Sequence, residues 1–331
     1  EWNFEKDVSV RTTKGVEFKV LDECNFEPPR YGEIPKDHPD FGDDAPDPIE
    51  DLLGGNDPVE LRNALDEMIE GASRQGANAD YIKLAKDLFI EYEEIWRLRL
   101  GSDPPVKVTP MKCELKSGME PFKAQSRRYS PVIQDFMKLE TDRQLKWGFA
   151  YLNLTSQWAS PPLCIKKKVI EGEKLRPLID LMRMTVDLRE VNQRTTSTVW
   201  PMPNLEVLLS GIVGAKCFAL FDLTSGYWQF PLDPSCREFF SYMTDRGIFT
   251  PMRVPQGAKG SVAYVQSSMC HILGEELLYK NAVPWIDDVL VWAGTDQELI
   301  EAVRKLFEWC KSFGLKSVSY THLTLPTTSR V

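Results

Sequence analysis

The chain has 331 residues, of which 42% are hydrophobic, and at ~150 residues per domain this length predicts two structural units. Three histidines and seven cysteines, with no Cys-x-x-Cys pair, argue against a disulfide framework, a zinc cluster and Ser-His-Asp or Cys-His catalysis, and they fit a reducing compartment. No apolar run approaches the ~20 residues of a membrane helix, no leader opens the chain, and residue 1 is glutamate. We therefore expect an intracellular segment of a longer open reading frame.

The net charge of −9 is unevenly distributed along the chain. Residues 1–100 hold 12 Lys and Arg against 25 Asp and Glu, whereas residues 101–331 hold 28 against 24. The acidic character therefore belongs to the first hundred residues. The remainder is mildly basic, which permits a phosphate-binding surface without requiring one.

The first hundred residues divide into three parts. Weak alternation over 1–26 predicts a strand pair, the remnant of an upstream domain. Residues 27–58 are rich in Pro, Gly and Asp, which indicates a disordered acidic linker. Residues 59–101 form a predicted helical connector. Its two helices are Val59–Gly71 and Asp80–Arg99, with Asp80 as the N-cap of the second.

Residues 102–316 have the composition of a globular α+β domain. Strands and helices mix without regular βαβ spacing, so we expect a sheet with helices on one face. The predicted helices are 131–147 (ending at Gly148), 203–213, 261–278 and 296–313 (ending at Gly314); the strands are 163–168, 185–188 and 216–221, and 283–292 is a hairpin. Residues 317–331 resemble translated sequencing adapter, so we interpret them as a non-native tail and the native chain as truncated near Lys316.

Two adjacent acids, Asp287 and Asp288, lie between two short apolar runs within 283–292. Asp residues are common in solvent-exposed turns, and such a turn is the ordinary explanation of an Asp pair in a sequence. At the tip of a buried hairpin, however, two carboxylates repel each other unless a cation neutralises them. Mg²⁺ prefers oxygen ligands of this kind.

A third acid, Asp222, ends a five-residue apolar strand, and two aromatic residues, Tyr227 and Trp228, follow its turn. Alone, Asp222 is better explained as a helix N-cap or turn residue. Together, three strand-end carboxylates are what a two-metal phosphoryl-transfer centre requires. One ion activates the attacking hydroxyl, and the other, ~3.5–4 Å away, stabilises the leaving oxygen.

Five segments, in order, resemble the reverse transcriptases of gypsy-type LTR-retrotransposon polyproteins. Phe221–Gln229 is similar to motif A of that family and Trp285–Asp288 to motif C. The others are Gln157–Lys168 (a fingers strand), Val186–Asn192 with Trp200–Pro203 (the segment after it), and Val254–Gln266 (motif B). The resemblance runs from about Trp96 to Lys316. It implies the fingers and palm of a right-hand polymerase, with an antiparallel palm sheet backed by helices and truncation before the thumb.

The resemblance also implies roles for individual residues. The catalytic residues and metal ligands would be Asp222, Asp287 and Asp288, with two Mg²⁺ ions for which Mn²⁺ can substitute. Tyr227 would stack under the incoming sugar and exclude a ribose 2′-hydroxyl. Gln256 would line the nucleotide pocket.

Three further positions complete the implied nucleotide site. Gly257 would let the template backbone approach. Lys167 and an arginine of the fingers hairpin would contact the triphosphate, although Lys166–Lys168 taken alone are better explained as a solvated charge run. For the arginine we choose Arg183 over Arg176, because the residues after it fit the family better. Further candidates are Lys168, Arg176, Leu223 and Trp285.

Three features depart from the family pattern. Trp285 replaces the usual tyrosine of motif C, motif B reads Pro-Gln-Gly instead of Pro-Phe-Gly, and the fingers hairpin is longer than usual. Asp187 and Arg189 are interpreted as a structural pair.

The implied function is RNA-directed DNA polymerisation in retrotransposon replication. The alternatives are a catalytically silent, domesticated nucleic-acid-binding protein and, disfavoured by Tyr227, a viral RNA-dependent RNA polymerase. Implied partners are primed RNA or DNA template, dNTPs and the rest of the polyprotein (protease, thumb, ribonuclease H and integrase), in a cytoplasmic virus-like particle without a membrane. Without a thumb, we expect the isolated chain to polymerise poorly or not at all.

Overall fold

The computed structural model describes residues 8–13, 16–21, 57–74, 77, 79–167, 178–196, 200, 202, 212–318 and 322–324. Residues 27–56 of the predicted linker (27–58), most of the predicted helix at 203–213, Lys168 and Arg176 lie outside these residues. The chain divides into two units, Glu1–Pro48 and Ile49–Val331. In the first unit, β1 (Val8–Thr13) and β2 (Val16–Leu21) form an antiparallel hairpin, as the alternation predicted.

The second unit begins with two helices, α1 (Pro58–Arg74) and α2 (Ala79–Glu91). The prediction that α2 extends to Arg99 is wrong, and Asp80 lies in its first turn instead of capping it. After α2 the chain passes through a 3-10 turn into a two-residue strand, β3 (Trp96–Arg97). The indole of Trp96 is buried and donates to the Phe89 carbonyl (3.3 Å), and the backbone of β3 pairs with a strand 221 residues later. These long-range contacts override the helical periodicity.

The central sheet is antiparallel, with strand order β10–β11–β7–β13. Two long helices, α6 and α7, pack against the sheet and against each other. This arrangement confirms the prediction of an antiparallel sheet backed by helices. The element bounds are β7 (Cys217–Asp222), α6 (Ser261–Leu277), β10 (Ala282–Trp285), β11 (Asp288–Ala293), α7 (Asp296–Phe313) and β13 (His322–Thr324).

A smaller layer contains the β5–β6 hairpin, helix α3 and a three-stranded antiparallel sheet of order β4–β9–β8. Its own core is formed by Phe136, Met137, Ile179, Met182, Met184, Tyr242 and Phe249. The predicted hairpin is present, but its second strand begins three residues earlier than expected. The bounds are α3 (Pro131–Lys146), β4 (Ala150–Leu152), β5 (Pro162–Lys166), α4 (Leu178–Leu181), β6 (Met182–Val186), α5 (Arg189–Arg194), β8 (Tyr242–Thr244) and β9 (Gly247–Pro251).

The helical connector and the central sheet share one core. Trp96 packs edge-on against Phe89 and Phe307, at ring-centroid distances of 5.1 and 5.2 Å. Phe221 of β7 lies edge-on to the same Phe307 ring at 5.3 Å. Each buried aromatic side chain of this kind contributes ~1.5–3 kcal/mol of hydrophobic free energy. The connector therefore supports the strand that carries Asp222.

The last described residues add two strands. The backbone of β12 (Ser317–Val318) pairs in parallel with β3, and β13 pairs antiparallel with β7. Whether 317–331 is a non-native tail remains a prediction, as do the domain boundaries. Among the described residues, no helix is both long and apolar enough to cross a membrane.

Candidate active site

The central sheet brings Asp222 and Asp288 side by side. They are register partners on antiparallel β7 and β11, at the end of the first strand and the start of the second. Asp287 occupies the tight turn between β10 and β11, and its carbonyl accepts a hydrogen bond from the Leu223 amide (2.8 Å). The three predicted acids therefore lie at one edge of the sheet.

The turn that carries Asp287 is held by a buried glutamine. The side-chain oxygen of Gln266 accepts from the Ile286 amide, and its side-chain nitrogen donates to the Pro284 carbonyl, both at 2.8 Å. Ile286 has φ 60°, a left-handed conformation that is rare for a β-branched residue. The two hydrogen bonds from Gln266 offset the strain of this conformation, which costs ~1–3 kcal/mol.

The turn after Asp222 lies against Asp287. A Cβ placed on Gly226 would stand 2.8 Å from the Cβ of Asp287, so only glycine permits this approach. The preceding Ser225 is left-handed, with φ 50°. These two residues let the chain turn sharply and direct Tyr227 towards the acids.

Two of the acids have raised pKa values. Burial, together with the charges of Asp288 and Asp287, raises the pKa of Asp222 to about 6. Burial and the Asp287 charge also raise the pKa of Asp288. A cation between these carboxylates would remove the repulsion, and oxygen ligands at strand ends suit Mg²⁺.

Within the described residues, no three His, Cys, Asp or Glu side chains are gathered closely enough to hold a metal ion as they stand. The composition and charge of the three-acid set fit a divalent cation. Binding would have to draw the carboxylates together.

A cavity of about 260 Å³ adjoins the acids. It contains four of the residues predicted to bind nucleotide, together with one of the acids: Lys167, Arg183, Tyr227, Gln256 and Asp287. Two cationic side chains and one carboxylate of the predicted metal site therefore line the same cavity. Burial, and secondarily the Asp287 charge, raise the pKa of the Tyr227 phenol, so this hydroxyl is neutral at pH 7.

Gly257 does not line this cavity. It has φ 88°, a conformation that favours glycine, and its carbonyl accepts from the side chain of Asn192 (2.9 Å). The Asn192 side-chain oxygen in turn accepts from the Lys259 amide (2.7 Å). Asn192 therefore anchors the loop that follows Gln256.

The remaining candidates lie around the site. Leu223 is buried beneath it, and Trp285 faces Asp288 across the hairpin and is 36% exposed. Asp187 and Arg189 form a two-pronged ion pair (2.8 Å for each contact), which Arg127 joins at 3.0 Å. The hydrogen bond from Arg189 holds the pKa of Asp187 well below its usual range.

Three buried or anchoring amides, Asn192, Gln229 and Gln266, were not assigned roles from the sequence. Their partners are main-chain atoms distant in sequence, so no local pattern distinguishes them from surface amides. Each of them lies in a segment that resembles the reverse transcriptase family, and this resemblance is the only sequence signal that marks them.

The model of the family described as "Reverse transcriptase (RNA-dependent DNA polymerase)" matches residues 165–318. This range includes all three acids and both strands that carry them. Residues 165–318 are therefore similar to the reverse transcriptase family. The resemblance seen in the sequence is confirmed, because similar proteins include retrotransposon polyproteins.

The chain is similar to several curated polyproteins. The chain is 27% identical over 161 residues to a retrovirus-related Pol polyprotein from transposon 412 of Drosophila melanogaster, covering 49% of the chain and 13% of the relative. It is 24% identical over 262 residues to the enzymatic polyprotein of Cauliflower mosaic virus (strain Strasbourg), covering 77% and 37%. The Pol polyprotein from transposon gypsy of Drosophila melanogaster is 26% identical, covering 54% and 17%. The chain thus spans well under half of each relative.

Solved structures share the fold. A foamy viral protease–reverse transcriptase in complex with dsDNA has a TM-score of 0.69 at 18% identity, over 84% of this chain and 55% of that one. The same protein in complex with an RNA/DNA hybrid has a TM-score of 0.67 at 19% identity, over 82% and 34%. These similarities confirm the fingers and palm fold.

Proposed function

We propose that this chain is the fingers and palm of an RNA-directed DNA polymerase that replicates an LTR retrotransposon. Its reaction would be template-directed addition of dNTPs to a primer 3′-hydroxyl. The observation that carries the proposal is the placement of Asp222 opposite Asp288, with Asp287 beside them. The raised pKa values of Asp222 and Asp288, due to burial and to neighbouring negative charge, support a site that binds cations.

Asp222, Asp287 and Asp288 would hold two Mg²⁺ ions, for which Mn²⁺ can substitute. Bound there, the ions would lower the pKa of the primer hydroxyl and stabilise the leaving pyrophosphate oxygen. The protein's own contribution is to hold the three carboxylates at one edge of a rigid sheet. The Gln266 contacts and the close approach of Gly226 serve this purpose.

Lys167 and Arg183 would bind the triphosphate. Both line the cavity that adjoins Asp287, so they face the side of the site where negative charge accumulates in phosphoryl transfer. The position of Arg183 in the cavity supports this role. Lys168 and Arg176 remain sequence-based candidates.

Tyr227 would pack against the sugar of the incoming nucleotide and exclude a 2′-hydroxyl, with Gln256 on the wall of the same cavity. The left-handed Gly257, held by Asn192, would allow close approach of the template backbone. The exclusion is steric, so it depends on where the Tyr227 ring stands.

The proposed partners are primed RNA or DNA template and dNTPs. The rest of the polyprotein would supply protease, thumb, ribonuclease H and integrase, in a cytoplasmic virus-like particle. Retention of the three acids, and of two cations in the cavity that Asp287 lines, disfavours a silent nucleic-acid-binding protein.

Primer extension on an RNA template tests the proposal, with Mg²⁺ and then Mn²⁺, and with the chain in excess over primer so that slow addition is visible. We expect incorporation by the wild type that disappears in Asp222→Asn. The matched control is Asp245→Asn in the exposed turn between β8 and β9, which should leave incorporation unchanged. Equal incorporation in all three proteins would contradict the proposal, and so would an absence of incorporation by the wild-type chain within the polyprotein that supplies its thumb.

A further inference from the structure

Gln229 is a buried polar residue next to the proposed sugar-binding tyrosine. It ends the 3-10 helix Gly226–Gln229, which carries Tyr227, and it is 3% exposed. Burying a carboxamide is costly unless its hydrogen bonds are made. The contacts of Gln229 therefore indicate what its burial achieves.

The carboxamide of Gln229 makes three hydrogen bonds, all to main-chain atoms. Its nitrogen donates to the carbonyls of Thr224 (2.9 Å) and Lys316 (2.7 Å), and its oxygen accepts from the Lys316 amide (2.7 Å). The two donors and one of the acceptor positions are thus satisfied. One side chain links the turn after Asp222 to a segment 87 residues away.

The main chain of the same residue is also fixed. The Gln229 carbonyl accepts from the Val106 amide (2.9 Å) and from the guanidinium of Arg253 (3.3 Å). Arg253 is 5% exposed and lies over the Phe149 ring at 4.8 Å. The position of the Gln229 main chain is therefore fixed, and its side chain holds the preceding turn at Ser225 and Gly226.

The turn that Gln229 holds is strained and directs Tyr227. Ser225 is left-handed, and Gly226 allows the chain to pass against Asp287. The Lys316 carbonyl accepts both the Gln229 side chain and the Thr224 amide (3.1 Å), so the two ends of the turn are tied to one atom. Without the carboxamide, the end of the turn loses its bonds to this segment, whereas the start keeps the bond of the Thr224 amide and the bond that the Ser317 hydroxyl donates to the Asp222 carbonyl (2.8 Å).

We propose that Gln229 is a positioning residue that sets the place of the Tyr227 ring and thereby the discrimination between deoxyribonucleotides and ribonucleotides. This inference rests on the proposed polymerase function. The role requires no contact between Gln229 and the nucleotide. Gln229 acts through the turn, because steric exclusion of one hydroxyl group depends on ring placement at the scale of an ångström.

The test compares Gln229→Met, which keeps the length of the side chain and removes all three hydrogen bonds, with the wild type. The control is Thr250→Val, which removes a buried hydroxyl that bonds Ser241 (2.7 Å) and Asn153 (3.1 Å) and does not line the cavity. For each protein, kcat and KM are measured with a dNTP and with the matching ribonucleotide. Thermal unfolding is followed in parallel.

We expect Gln229→Met to lower the ratio of kcat/KM for dNTP over ribonucleotide by about tenfold or more, the scale on which sub-ångström misplacement acts. The change should lie mainly in better use of the ribonucleotide. Thr250→Val should be destabilised with its ratio unchanged. Gln229→Glu is the second variant, used if the methionine variant does not fold. It keeps the acceptor to the Lys316 amide and loses both donors, and it should also show a lowered ratio.

Three outcomes are distinguishable. A lowered ratio in the Gln229 variants alone supports the inference. An unchanged ratio in a folded Gln229 variant, or an equal fall in Thr250→Val, would overturn the inference and leave the polymerase function standing. A wild-type chain that extends no primer with either nucleotide, even within the polyprotein that supplies its thumb, overturns the proposed function and this inference with it.

Discussion

Gly226 approaches Asp287 so closely that a single methyl group on it would overlap the aspartate side chain, with a Cβ–Cβ distance of 2.8 Å. The backbone of the turn after Asp222 thus packs against the side chain of Asp287, in the turn between β10 and β11. One acid of the site is therefore placed by a residue that has no side chain.

Gly226→Ala should abolish most of the activity, because either the turn or Asp287 must move. We expect primer extension to fall by about 100-fold and the protein to lose about 1–3 kcal/mol of unfolding free energy. Gly71→Ala is the control: its added methyl lies 3.9 Å from the Arg74 side chain, within helix α1, and should be neutral or stabilising. Full activity in Gly226→Ala would show that this packing does not place Asp287.

Replacing Gln266 with leucine should lower kcat while KM for dNTP changes little. The side chain holds Ile286 and Pro284, which frame the acids and do not contact the triphosphate. We expect a fall of about tenfold or more in kcat, from misplacement of Asp287 and Asp288. Steady-state kinetics separate the two constants, and a rise in KM with an unchanged kcat would contradict this role.

Lys167 and Arg183 should act on nucleotide binding. A charge-assisted contact to phosphate contributes about 1.5–3 kcal/mol, so Arg183→Ala should raise KM for dNTP by about 10- to 100-fold. Lys167→Ala should change KM in the same direction. Lys166→Ala is the matched control, because Lys166 is exposed and does not line the cavity. An equal effect of Lys166→Ala and Lys167→Ala would indicate non-specific charge attraction.

The three acids should make the metal-free protein less stable at neutral pH. The folded pKa of Asp222 is about 6, against an ordinary 3.8, so its protonated form favours the folded state. This contribution is complete below about pH 4 and is lost as the pH rises through about 6. With metal chelated, Asp222→Asn should be more stable than wild type at pH 7. Because solvent screens this half-buried group, we expect a gain of about 1 kcal/mol.

Thermal unfolding with and without Mg²⁺ measures this effect. Mg²⁺ should raise the Tm of the wild type and leave Asp222→Asn nearly unchanged. A loss of stability in the metal-free variant at pH 7 would contradict the electrostatic account of the site.

Much of the fold and site was predictable because the patterns are local. Apolar runs ending in Asp222 and flanking Asp287 and Asp288 identified the strand ends. Helix α7 matched its predicted bounds, because Thr295 accepts from the Glu298 amide at its start and Gly314 is left-handed at its end.

The features that were missed depend on contacts between distant segments. Helix α2 stops before Trp96 because β3 pairs with β12, which periodicity cannot foresee. The roles of Gln229 and Gln266 depend on main-chain partners in other segments, and Gln229 reaches one 87 residues away. An amide side chain looks the same in the sequence whether it lies on the surface or links two turns.

The most direct measurement of the central claim is single-nucleotide incorporation opposite each of the four bases in an RNA template. The proposed function predicts that only the dNTP complementary to the template base is added, and that Asp288→Asn adds none. Addition that ignores the template base, or that persists in Asp288→Asn, would contradict a template-directed polymerase with these acids in its active site.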